Sequence, residues 1–83
     1  MARGTHTQVL SSAVIQLLRP LVRILLRDHV SHRIFSDLAK RVYVQVAADE
    51  FTIHGRKQTI SRIAILTGLT RKDVQQLLAE PRA

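Results

Sequence analysis

The sequence predicts an all-α fold, a compact bundle of four to five helices that ends in a helix-turn-helix. Two observations carry this expectation. Apolar residues recur at three- and four-residue intervals through most of the chain. The segment Ile60–Leu78, ISRIAILTGLTRKDVQQLL, supplies what two short helices joined by a tight turn require.

The first eight residues are small and polar and read as a disordered tail (residues 1–8), ahead of one domain over residues 9–80. From Val9 onward, Leu10, Val14, Leu17, Leu18, Leu21 and Leu25 fall at helical spacing. Pro20 interrupts them. It has no N–H to give the Gln16 carbonyl and disfavours the helical conformation at Arg19. The expectation is two short helices meeting near Arg19, or one helix kinked there. If the helix is continuous, Arg19, Arg23 and Arg27 share a face.

The pattern stops at Asp28–Ser31 and restarts. Ser31 has the chemistry of an N-cap, and Val30 and Phe35 have the spacing of a hydrophobic staple. Phe35, Leu38, Ala39, Val42 and Val46 then predict one buried helical face ending near Phe51. The β-branched run Val42–Val46 also suits a strand, but the flanking segments 38–41 and 47–50 favour helix. Thr52–Lys57 is a connection containing Gly55, and helices are expected over Thr59–Thr67 and Arg71–Ala79. Pro81 prevents further helix.

Within the helix-turn-helix, residues 59–79, each position has a reason. Two steeply crossed helices need a small residue at their closest approach, and Ala64 supplies it. The turn needs a residue that accepts positive φ, and Gly68 supplies that. Leu69 plugs the turn into the core. Thr70, with Asp73 three residues later, makes a short capping box. Val74, Leu77 and Leu78 form the inward face.

The opposite face points to function. Arg71, Lys72, Gln75 and Gln76 lie away from the core at helical spacing, and such side chains read guanine and adenine edges in the major groove. Arg56, Lys57, Thr59, Ser61, Arg62 and Thr70 are the candidates for phosphate contacts. From His54 to Lys72 there are five Lys and Arg residues and no acid. The whole chain carries 13 Lys and Arg against 6 Asp and Glu, a net charge of +7. Such an excess favours anionic partners. Double-stranded DNA is the expected partner, in a sequence-specific complex.

Composition also excludes. No cysteine is present, so disulfides, thiolate metal sites and cysteine nucleophiles are ruled out, and the usage suits a cytoplasmic protein. The three glycines are too scattered for a phosphate loop. His29 and His32, beside Asp28, read as loop histidines rather than metal ligands. No catalytic residue, cofactor or metal is expected. The most apolar stretch, Val9–Leu26, is broken by Gln16, Arg19, Pro20 and Arg23. It reads as neither a membrane span nor a signal peptide, and no membrane partner is expected.

The string Ala64-Ile65-Leu66-Thr67-Gly68-Leu69-Thr70-Arg71 resembles the turn A-x-x-T-G-L-S/T-R of bacterial winged-helix regulators. The stretches 18–23, 38–43 and 56–62 resemble the N-terminal region of an uncharacterised family of bacterial proteins, over nearly all of residues 9–78. These resemblances imply a winged-helix-like domain without a visible wing, in a transcriptional regulator. Winged-helix proteins continue into a β-hairpin after the recognition helix, so a longer parent protein is expected.

The main alternative is a protein-interaction module. Ile15, Val22 and Ile24 lie outside the main apolar stripe of the first helical region, and Ile65 and Leu66 lie off the inward face of theirs. Leftover apolar area marks interfaces. A homodimer contact, or docking of a missing C-terminal domain, through residues 10–27 is the form this takes. Membrane-surface binding by a basic amphipathic helix ranks lower, because no Trp anchors it and Pro20 interrupts it.

Overall fold

The computed structural model describes residues 2–51 and 58–81, with side chains from residue 6 onward within them. It is all-helical, with α1 over Ala2–Arg27, α2 over His32–Glu50, α3 over Ile60–Thr67 and α4 over Arg71–Ala79. Among the described residues there is no strand. The chain divides into two compact units, Met1–His32 and Arg33–Ala83.

The first unit is α1. It is one helix with Pro20 inside it, which decides between the two expected arrangements in favour of the single helix. It also starts at Ala2, so the stretch read as a tail continues the helix. Extending a nucleated helix fixes one residue per added hydrogen bond, which a weakly helical sequence tolerates. The expectation that no stretch suits a membrane span needs correcting. By length and composition alone, His6–Arg27 is long and apolar enough to cross a membrane. Counting uninterrupted apolar residues stops at Gln16, Arg19, Pro20 and Arg23, whereas a continuous helix averages over them.

α1 ends in a Schellman motif. Val30 N–H donates to the Leu25 carbonyl at 2.8 Å and His29 N–H to the Leu26 carbonyl at 3.2 Å. The residue that turns the chain is His29, with φ 60°, the left-handed conformation usually given to glycine. Leu25 and Val30, the pair whose apolar contact commonly accompanies this motif, are both half-buried.

The second unit contains α2, α3 and α4. Its core is Val44 and Ala47 of α2, Ile63 of α3 and Val74 of α4, with Ala48, Ile60, Ala64, Leu69 and Leu77 packed against it. Val74 and Ile63 are 0% and 1% exposed. Each such aliphatic side chain contributes about 1.5–3 kcal/mol by leaving water. Two ion pairs tie α2 to α4 and to the residue that caps it: Lys40 Nζ to Asp73 Oδ2 at 3.9 Å and Arg41 Nε to Glu80 Oε2 at 3.3 Å. Both are partly exposed and add little.

The buried face of α2 differs from the expected one. Leu38 and Val42 are exposed, Phe35, Ala39 and Val46 are half-buried, and Val44 and Ala47 meet the core. At 3.6 residues per turn the two sets lie on nearly opposite sides of the helix. α2 is therefore apolar on two faces, and periodicity alone does not choose between them. The outer face contributes Val42, Tyr43 and Val46 to a shallow apolar groove, closed by Phe51 and Leu66.

Candidate functional site

The site expected from the sequence lies on α3, α4 and the turn between them. Thr59 caps α3, its Oγ1 accepting the Arg62 N–H at 3.1 Å. Gly68 closes α3 with φ 76°, its N–H donating to the Ala64 carbonyl at 2.9 Å. A Cβ at Gly68 would meet no atom within 4 Å, so the need for glycine is conformational, not steric. Thr70 caps α4 by accepting the Asp73 N–H at 3.1 Å. Leu69, half-buried between the two caps, packs on the core as the turn's plug.

This local chemistry sets which way α4 faces. Val74 is fully buried and Leu77 half-buried, while Arg71, Lys72, Gln75 and Gln76 are all exposed. At 100° per residue these four side chains span an arc of about 140° opposite the core. The Asp73 carboxylate lies outside this arc and faces Lys40. The polar arc thus carries two cations, two amides and no acid.

The phosphate-contact candidates fare unevenly. Thr59, Ser61 and Thr70 are exposed in or beside the first turns of α3 and α4. Arg62 is half-buried, and its Nε is enclosed with no hydrogen-bond partner. A phosphate contact from Arg62 would have to use the end of the guanidinium. Arg56 and Lys57 lie outside the described residues. The exposure of Ile65, 82%, and Leu66, 43%, agrees with their reading as residues off the inward face. Among the described residues no three His, Asp or Glu groups come together as metal ligands.

The sequence model of a family of unknown function, DUF6502, matches residues 7–83. The chain belongs to the DUF6502 family. That agrees with the resemblance to an uncharacterised family. No curated protein and no solved structure gives a significant match. The resemblance to winged-helix regulators thus has no counterpart in these comparisons.

Two residues that organise the site in this DUF6502 member escape a sequence reading. Thr67 Oγ1 donates to the Ile63 carbonyl at 2.8 Å and accepts the Leu69 N–H at 3.2 Å, bracing the turn from both sides. Its position beside Gly68 was the available signal, since Ser and Thr hydroxyls commonly bond backbone two to four residues away. Gln58 Nε2 donates to the carbonyls of Ala47, at 3.0 Å, and Phe51. These acceptors belong to the end of α2, and no short-range pattern announces them.

Proposed function

We propose that the α2–α4 unit binds duplex DNA sequence-specifically, with α3 and α4 acting as a helix-turn-helix in a transcriptional regulator. One observation carries the reading. α4 buries Val74 completely and turns Arg71, Lys72, Gln75 and Gln76 outward together. Arg and Lys fit the guanine O6 and N7 acceptors, and Gln pairs with adenine N6 and N7. On this reading α4 lies in the major groove, and Thr59, Ser61, Arg62 and Thr70, with Arg56 and Lys57, hold phosphates. The net charge of +7 supports the sequence-independent part of such binding.

The test is fluorescence anisotropy of a mixed-sequence duplex titrated with the chain at about 50 and 200 mM salt, beside an Arg71→Ala/Lys72→Ala variant. Salt-sensitive binding that the variant loses supports the reading. Absence of binding at low salt with tens of micromolar protein overturns it.

A further inference from the structure

Within its own unit, α1 leaves almost all of its apolar side chains uncovered. Every apolar side chain from Val9 to Leu26 is exposed except Leu18 and Leu25, which are half-buried. Leu17 is 73% exposed and Leu26 66%. The arrangement around the axis is ordered. From Ala13 to Arg27, Gln16, Arg19, Pro20, Arg23 and Arg27 share one arc of about 100° at 3.6 residues per turn. All the remaining residues of that stretch are apolar and fill an arc of about 220°. No Asp or Glu occurs before Asp28, while Arg19, Arg23 and Arg27 spread over about 80° of the polar arc, with Arg19 at its edge.

We propose that α1 lies in the plane of an anionic lipid bilayer, its apolar arc in the acyl boundary and its three arginines among the headgroups. Three arguments select this occupant. The charge is of one sign, and anionic lipid is its complement. The apolar arc is wider than the seam of a paired helix, which would cover Leu10, Val14, Leu17 and Leu21 and leave Ile15, Val22 and Leu26 wet. Pro20 separates lying in the membrane from crossing it. Lacking an N–H, it leaves the Gln16 carbonyl without its helical donor, and both residues are on the polar arc. An in-plane helix turns that carbonyl to water, whereas a crossing helix would take it and two arginines into hydrocarbon.

The inference is independent of DNA binding, since it uses only α1. The chain has no Trp, so one introduced Trp reports its own surroundings. Two variants of the full chain, Leu17→Trp on the apolar arc and Gln16→Trp on the polar arc, are titrated with two kinds of vesicle. One is phosphatidylcholine containing phosphatidylserine and the other phosphatidylcholine alone, with helicity followed by far-ultraviolet circular dichroism. The expected result is a blue shift of Leu17→Trp on phosphatidylserine vesicles, with Gln16→Trp remaining red. Partitioning should fall on the order of 100-fold without the anionic lipid, and Arg19→Gln/Arg23→Gln/Arg27→Gln should remove that preference. Three results overturn the proposal. A Leu17→Trp emission already blue in buffer means that protein, such as a second copy, covers the arc. Equal blue shifts of both reporters mean a crossing helix. Unchanged emission of both on every vesicle means that α1 does not meet the bilayer.

Discussion

Gln58 Nε2 donates a 3.0 Å hydrogen bond to the carbonyl oxygen of Ala47, so the residue that leads into α3 caps the end of α2. The last four carbonyls of a helix have no partner within it, and Ala47 heads that set in α2. The same amide reaches the Phe51 carbonyl. Replacing Gln58 with Ala should cost about 1 kcal/mol in a urea titration followed by circular dichroism. The enclosed, unpartnered Oε1 leaves with the side chain, which keeps the loss small. Gln58→Glu should cost more, because it removes the donor and sets a carboxylate against two carbonyl oxygens. Equal stability of Gln58→Glu and the parent chain would mean that this cap carries no free energy.

The Gln58 cap also marks where legibility in the sequence ends. α3 and α4 were readable to within a residue because their boundaries are set locally, by Thr59, Gly68 and Thr70 acting on backbone groups three or four residues away. The exposure of Arg71, Lys72, Gln75 and Gln76 followed from the same local periodicity. The Gln58–Ala47 bond spans eleven residues and depends on where α2 ends in space. Likewise, α2 is apolar on two faces, and only the tertiary partners Ile63 and Val74 decide that Val44 is buried and Val42 is not. Pro20 left two outcomes open, because its local preference argues for a break while the leucines around it favour helix, and the chain takes the single helix.

The turn between α3 and α4 makes a paired prediction. Gly68→Ala meets no steric obstacle, yet must hold φ 76°, at a cost of about 1–2 kcal/mol. Thr67→Val keeps the volume of the side chain and removes the two hydrogen bonds that brace Gly68 from either side. Its cost should be about 1–3 kcal/mol. Thermal melts of both variants and of the double variant check this. Because the two residues are adjacent, the losses should not add. Strict additivity would separate the turn conformation from its brace.

At the end of α1 the prediction runs toward greater stability. His29 occupies the left-handed position of the Schellman motif at φ 60°. Glycine removes the Cβ strain there, although it also frees the unfolded chain, so His29→Gly should gain about 0.5–1 kcal/mol. His29→Val should lose helicity, since a β-branched residue is poorly tolerated at positive φ. Amide hydrogen exchange at Val30, whose N–H closes the motif on the Leu25 carbonyl, reads the effect directly. Faster exchange in His29→Gly than in the parent chain would contradict the strain argument.

DNA binding is best tested by separating residues that read bases from those that hold phosphates. Arg71 and Gln75 are exposed, so Arg71→Ala and Gln75→Ala should leave the melting temperature nearly unchanged. Each should cost about 1–3 kcal/mol on a preferred sequence, while on random duplex Gln75→Ala should cost little and Arg71→Ala only the contribution of its charge, which relaxes selectivity. Arg62 is different, being half-buried. Arg62→Ala should weaken all duplexes alike and flatten the salt slope by about one unit, with some loss of stability as its half-buried stem is removed. Arg27→Ala, on α1, serves as the control for loss of one positive charge. If Arg62→Ala and Arg71→Ala reduce affinity no more than Arg27→Ala does, binding follows net charge alone, and α4 is not a reading helix.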